Sequence, residues 1–253
     1  LGGYLESLFA WQANFYFLAM YAGALFIAEL FFSGETIRDV KKFNLKKTSM
    51  LYMVMLKNKA FVFGILILGM AYSTVMVFNI AGPFVVEHHF GFNAVTTGYC
   101  TLILGISWMI GGIISKTFSK QNFSRKLKVS AFTQIILLVL FVIAAAQLDQ
   151  LYLLIIFAFL IHIVSGFIFT NYFTQNMIYF PSNAGIAGGL IGGLLYIITS
   201  IISFLISSSG EIASTFDMSI RYLGVGIPLV LVIFYSTFLI LKKQQKKAKI
   251  TTV

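Results

Sequence analysis

Residues 150–210 contain no Asp, Glu, Lys or Arg, and their only histidine is His162. A run of this length is too long for one membrane helix and too apolar to remain in water. About 20 apolar residues, rising 1.5 Å each, span the hydrocarbon core of a bilayer. The feature recurs at residues 60–86, which carry no charge between Lys59 and Glu87. Composition agrees: 59% of residues are hydrophobic, 10% are charged, and mean hydropathy is +0.92. Soluble domains average about 25% charged residues, so lipid is the expected solvent. Membrane β-strands would read as ~10-residue segments of alternating polarity, and none is visible. The expected fold class is an all-α polytopic membrane protein.

The net charge of +10 is segregated. Basic residues gather at 38–59 (Arg38, Lys41, Lys42, Lys46, Lys47, Lys57, Lys59), at 116–128 (Lys116, Lys120, Arg125, Lys126, Lys128) and at 242–249 (Lys242, Lys243, Lys246, Lys247, Lys249). Only Arg221 lies elsewhere, and Glu6, Glu87, Asp149, Glu211 and Asp217 fall in the gaps. This is the positive-inside pattern of a multi-pass protein. Because each cluster flanks an apolar span, nucleic acid is excluded as a partner, and anionic membrane lipid is expected beside the basic loops.

Seven spans are expected, at 14–32, 60–86, 94–115, 129–148, 151–172, 184–207 and 222–241. Parity fixes the number within 150–210. The 116–128 loop and the 242–249 tail are both basic, so an even number of crossings separates Asp149 from Glu211, and two fit. The turn between them is expected at NYFTQNMIYFPSN, with Pro181 and Asn183 as the break. The long loop 33–59 holds LKKTSMLYMVML, expected to lie along the membrane surface. The single cysteine, Cys100, excludes an internal disulfide and reads as a small packing residue. The opening LGGYLESLFAW reads as the tail of a helix, and the chain is expected to be a fragment lacking earlier helices.

Within the spans, FPSNAGIAGGLIGGLLY is the densest run of small residues. Gly185, Gly189 and Gly193 are spaced by four, as are Ala184, Gly188 and Gly192, so they line adjacent stripes of one helix. In lipid, where hydrophobic drive between helices is weak, such stripes serve close backbone packing. Static packing and a sliding contact during transport both fit. Tyr72, Met76, Asn79 and Pro83 share one face of the second span and line either a cavity or an interhelical hydrogen-bond seam. Thr97, Thr101 and Trp108 share a broad face of the third. His162, with Ser165 and Tyr172 or Phe169, forms the ionisable face of the fifth span. An intramembrane histidine is a candidate for substrate or proton handling, and a neutral, hydrogen-bonded interior histidine is the alternative. Tyr196, Thr199 and Ser203 continue the glycine face. Glu29 is expected to reach the interface. His88 and His89 are too weak a signal for a metal site, and no metal or cofactor is expected. No Walker A, HExxH, GxSxG or CxxC pattern occurs, so an enzyme is not expected.

Six spans after a long basic loop resemble the C-terminal half of a major facilitator superfamily transporter. Gly2 and Gly3 resemble the end of the fifth-helix glycine-proline motif of its drug/proton antiporters. Trp11 and Phe15 in WQANF, and Glu35 and Thr36 in GETI, are similar to motifs flanking the sixth helix of the bicyclomycin-resistance (Bcr/CflA) branch. The segment 83–118 and NAGIAGGLIGGL resemble the same branch. Gln12 replaces the branch's arginine, and Gly112 is followed by IISKTF where the superfamily's repeat motif carries an acid.

The resemblance implies an end of the N-terminal bundle at 1–32, a cytoplasmic central loop at 33–59, a six-helix C-terminal bundle at 60–241 and a cytoplasmic tail at 242–253. It implies proton-coupled, alternating-access export of small amphipathic compounds from the cytoplasm, across a bacterial inner membrane. The remaining partner is the N-terminal half, which in the family carries the coupling acid. A metabolite or siderophore carrier and a non-transporting sensor or scaffold are the alternatives. The cavity candidates are Tyr72, Met76, Asn79, Thr101, Trp108, His162, Ser165, Tyr196 and Thr199. His162 is also the proton-coupling candidate. The helix-packing or gating candidates are Gly2, Gly3, Gly112, Gly185, Gly188, Gly189, Gly192 and Gly193.

Overall fold

Four asparagines set where helices begin. Asn44, Asn58, Asn93 and Asn122 each accept a hydrogen bond from the backbone N–H three residues on, at 3.0–3.4 Å, satisfying a donor that the first helical turn leaves unpaired. They open α3 (Leu45–Lys57), α4 (Lys59–Phe84), α5 (Ala94–Thr117) and α6 (Phe123–Ala145). The computed structural model describes residues 1–34 and 44–251, with side chains described as far as Phe238. The other helices are α1 (Gly2–Phe9), α2 (Gln12–Phe32), α7 (Leu151–Tyr179), α8 (Ala184–Ser208) and α9 (Thr215–Thr251). Among the described residues there is no strand, and seven helical segments are long and apolar enough to cross a membrane. Glu35, Thr36, Arg38, Lys41 and Lys42 lie outside the described residues, as do the side chains of the tail lysines.

Three boundaries differ from expectation. Helix α6 starts at Phe123, because Asn122 caps it, so Arg125, Lys126 and Lys128 sit in its first turns rather than in a loop. Helix α7 runs on to Tyr179, so NYFTQNMIY is helical rather than a turn. Its asparagines are interior: Asn171 is buried, and Asn176 is fully buried and donates to the Phe61 carbonyl at 3.3 Å, tying the end of α7 to the start of α4. The break falls at Pro181, which opens a short 3₁₀ turn. Helix α9 starts seven residues early because Ser214 and Asp217 form a reciprocal cap: the Asp217 N–H donates to the Ser214 hydroxyl at 3.0 Å, and that hydroxyl donates to the carboxylate at 2.7 Å.

Helix α4 is central, packed against α7, α8 and α9, while α5 packs on α7 and α6 on α9. One apolar cluster centres on Phe78, Leu138, Phe141, Leu154 and Tyr222, and a second on Phe61, Leu68, Leu127, Tyr172 and Leu229. Beyond Pro83, α4 ends in a π-helical turn, Val85–His89, followed by Gly91 at φ 71. Helix α1 packs on α5, where Gly3 lies against the backbone of Ala94 and Val95, and α2 packs on α1 with none of its residues buried.

Tight small-residue packing occurs away from the glycine run. A Cβ on Gly166 would lie 2.6 Å from the Trp108 carbonyl oxygen, and one on Gly111 would lie 2.9 Å from the Phe167 nitrogen, so α5 and α7 cross backbone to backbone. The space beside Gly69 is filled by Ile198, whose Cγ2 would lie 2.6 Å from a Cβ there. At Gly185, Gly188, Gly189, Gly192 and Gly193 the added atom would meet nothing within 4 Å. Static packing of that run is therefore not made by any described residue. Gly185, Gly189 and Gly193 are exposed, and Gly188 and Gly192 are half-buried.

Candidate functional site

The crossing at Gly166 and Gly111 controls what lies one turn away. It carries Trp108 on α5 and Phe169 on α7 to a ring-centroid distance of 5.2 Å. Tyr72, from the middle of α4, reaches both: its ring is 6.2 Å from Trp108 and 6.4 Å from Phe169. Tyr196 from α8 meets Tyr72 edge to face at 6.3 Å and 88°. Phe173 stacks on Phe169 one turn further along α7, at 6.1 Å. Four helices thus contribute to a continuous aromatic wall with Tyr72 at its hub, α7 adding Phe173 behind Phe169. Tilted and edge-to-face pairs are the arrangement that ring quadrupoles favour. Tyr72, Trp108 and Phe169 are half-buried, and Tyr196 is 63% exposed, so the wall is open on one side.

The structure brings together three of the expected cavity residues, Tyr72, Trp108 and Tyr196. Met76 lies one turn beyond Tyr72 and is half-buried; Asn79 follows, exposed, with its amide nitrogen 3.9 Å from the Met76 sulfur. These two extend the wall toward the π-helical end. Thr101 is exposed two turns from Trp108, its hydroxyl donating to the Thr97 carbonyl at 3.0 Å. Thr199 is buried, its hydroxyl directed at the Gly69 carbonyl of α4 at 3.5 Å.

His162 and Ser165 are completely buried. The His162 Nε2 is 3.0 Å from the Tyr222 hydroxyl on α9, and Ser165 accepts from the Gln134 amide on α6 at 3.2 Å. These pairs form a buried polar seam that joins α7 to α6 and α9, one to two turns along α7 from Phe169. Two of its buried polar atoms, His162 Nδ1 and Gln134 Oε1, have no hydrogen-bonding partner among the described residues. Of the candidate gating glycines, Gly2 lies near Asn14, Gly3 is pressed against α5, and Gly112 is in ordinary contact range of Thr170.

At the opposite end from the basic loops, His89 pairs with Asp149 at 2.7 Å, and the other Asp149 oxygen accepts from the Thr215 backbone N–H at 3.0 Å. One carboxylate thereby joins the end of α4, the α6–α7 connection and the start of α9. Partial burial pushes the Asp149 carboxyl upward, but the Thr215 and His89 hydrogen bonds outweigh it and hold the group below its ordinary value. His88 turns instead to stack on Phe84 at 6.1 Å. The adjacent histidines therefore serve different partners.

Sequence reasoning missed Gly111, Gly166, Gln134 and Tyr222, and saw Phe169 only as a face partner of His162. The available signals were the glycine pair in MIGGII, the isolated glycine in VSGFIF and a lone amide in the fourth span. A family model described as Major Facilitator Superfamily matches residues 1–204. Comparison with curated proteins finds no match.

Proposed function

The chain belongs to the Major Facilitator Superfamily, and from that premise we propose that it belongs to a proton-coupled exporter of small, lipophilic, neutral or cationic aromatic compounds, of the bicyclomycin-resistance type. Superfamily membership makes it a secondary transporter of small molecules; the substrate class, direction and coupling are our reading. The observation that carries it is the wall of Tyr72, Trp108, Phe169 and Tyr196. A flat apolar ligand gains aromatic contact there without an obligatory polar partner. A cation over such rings gains about 0.5–2 kcal/mol, more as water is excluded. No Lys or Arg belongs to the wall, so a carboxylated nutrient finds no counter-charge on it.

In this reading the open side of the wall is closed by the N-terminal bundle, with residues 1–32 as its adjoining part and 33–59 as the linker. The bundles rock about the bound ligand, as in other transporters with sites between repeats. The exposed glycine stripe of α8 is the sliding surface. The basic loops and the tail face the cytoplasm of a bacterial inner membrane. His162 is fully buried, two turns along α7 from Phe169. Proton handling at that position requires a conformation in which the imidazole meets water.

The test is expression of the encoded protein in an efflux-deficient bacterium, screened with lipophilic cations, neutral aromatics and carboxylated aromatics. Resistance to the first two classes, abolished by collapsing the proton gradient, is expected. Resistance that survives the collapse, or protection only against the carboxylates, overturns the proposal.

A further inference from the structure

Helices α5, α6, α7 and α8 carry no Asp or Glu, because residues 88–148 and 150–210 contain none. The only ion pair among the described residues, His89–Asp149, lies at the opposite end of the bundle from the 116–128 loop. The cations of that loop and of the first turns of α6 therefore have no carboxylate partner among the described residues. Two of them, Arg125 and Lys126, line a cleft of about 590 Å³ between the α5–α6 connection and α7. Asn122 and Gln121 add amides to it. Phe118 and Phe167, edge to face at 6.3 Å, are its aromatic members. Lys126 is half-buried, its ammonium 5.9 Å from the Phe123 ring.

Below this polar mouth the cleft opens onto an exposed apolar face of α6. Val129 lines it and is exposed, and Phe132, Ile136 and Leu140 continue the same exposed face of α6 at helical spacing. A cationic mouth at headgroup depth above an apolar stripe matches one kind of molecule. We propose that the cleft holds the phosphate of an anionic phospholipid from the leaflet on the basic side of the membrane, with an acyl chain along Val129, Phe132 and Ile136. Arg125 and Lys126 supply the charge, and Asn122 and Gln121 supply polar hydrogen-bonding groups. The site needs only the membrane-spanning topology and is independent of what the protein transports.

Native mass spectrometry of the full chain, released from detergent with phosphatidylglycerol or phosphatidylcholine, tests the site. Preferential retention of one phosphatidylglycerol is expected. Arg125→Gln/Lys126→Gln should reduce that preference on the order of thirtyfold, since each juxtamembrane cation contributes about a fivefold factor. Lys57→Gln/Lys59→Gln removes equal charge from another basic cluster and should leave the preference intact. Inorganic phosphate, which has no chains, should not displace the lipid. Circular dichroism checks that each variant is folded. Equal retention of both lipids, equal loss in the Lys57/Lys59 variant, no loss in the Arg125/Lys126 variant, or displacement by phosphate would each overturn the proposal.

Discussion

Adding one methyl group at Gly166 should weaken both the bundle and the aromatic wall, while the same change at Gly189 should do neither. The new Cβ at Gly166 would sit 2.6 Å from the Trp108 carbonyl oxygen, whereas ordinary contact begins at 3.4 Å. The difference, 3.4 − 2.6, is 0.8 Å, and the obstructing atoms are backbone, so no side chain can rotate away. Helix α5 must retreat. Overpacking of this kind costs about 1–3 kcal/mol, and a gap of 0.5–1 Å forfeits roughly a quarter to a half of the dispersion energy across it. Trp108 moves with its own carbonyl, so its 5.2 Å approach to Phe169 is lost as well. At Gly189 the added carbon meets nothing within 4 Å, and alanine is the better helix former by roughly 1 kcal/mol. Unfolding in mixed micelles, followed by circular dichroism, compares the two. Gly166→Ala should lose about 1–3 kcal/mol, with Gly189→Ala unchanged or slightly more stable. A stable Gly166→Ala, or a Gly189→Ala just as damaged, refutes the packing argument.

Gly189→Leu should preserve unfolding stability yet abolish transport if the open glycine stripe slides against a second bundle; normal transport by that variant removes the sliding role. Tyr222→Phe strands the buried His162 Nε2 and should cost about 1–3 kcal/mol of stability, read in the same micelle assay. His162→Gln, if folded, should flatten the pH dependence of transport, and an unchanged profile ends the proton-handling role. Because the Asp149 carboxyl lies below its ordinary value in the folded chain, its stabilisation is full above about pH 4 and is lost as pH falls through the folded value. Asp149→Asn should therefore be less stable at neutral pH and lose less on acidification, measured by unfolding at pH 7 and pH 3.

Charge and apolar length made the spans legible, since both are local properties. The start of α8 follows directly from Pro181, and the parity of the basic clusters placed two helices in 150–210. The end of α7 was not legible, because Asn171 and Asn176 look the same in a solvated turn as in a buried, hydrogen-bonded helix end. Tyr72, Trp108 and Tyr196 stood out one by one as polar aromatics in lipid. Their convergence depends on how α4, α5 and α8 are arranged, which no local pattern encodes. The glycines show the same limit. Four-residue spacing announces a smooth face but does not say what meets it, and the close crossing was built on Gly111 and Gly166, which share no repeat.

The chain has two tryptophans, Trp11 and Trp108, so Trp11→Phe leaves Trp108 as the sole reporter inside the proposed site. Titration of that variant with a lipophilic aromatic cation should quench its fluorescence saturably, and Tyr72→Ala should weaken binding by about 2- to 30-fold, the range a cation–aromatic contact supplies. Fluorescence that does not saturate, or an affinity unmoved by Tyr72→Ala, would contradict the assignment of the aromatic wall as the ligand site.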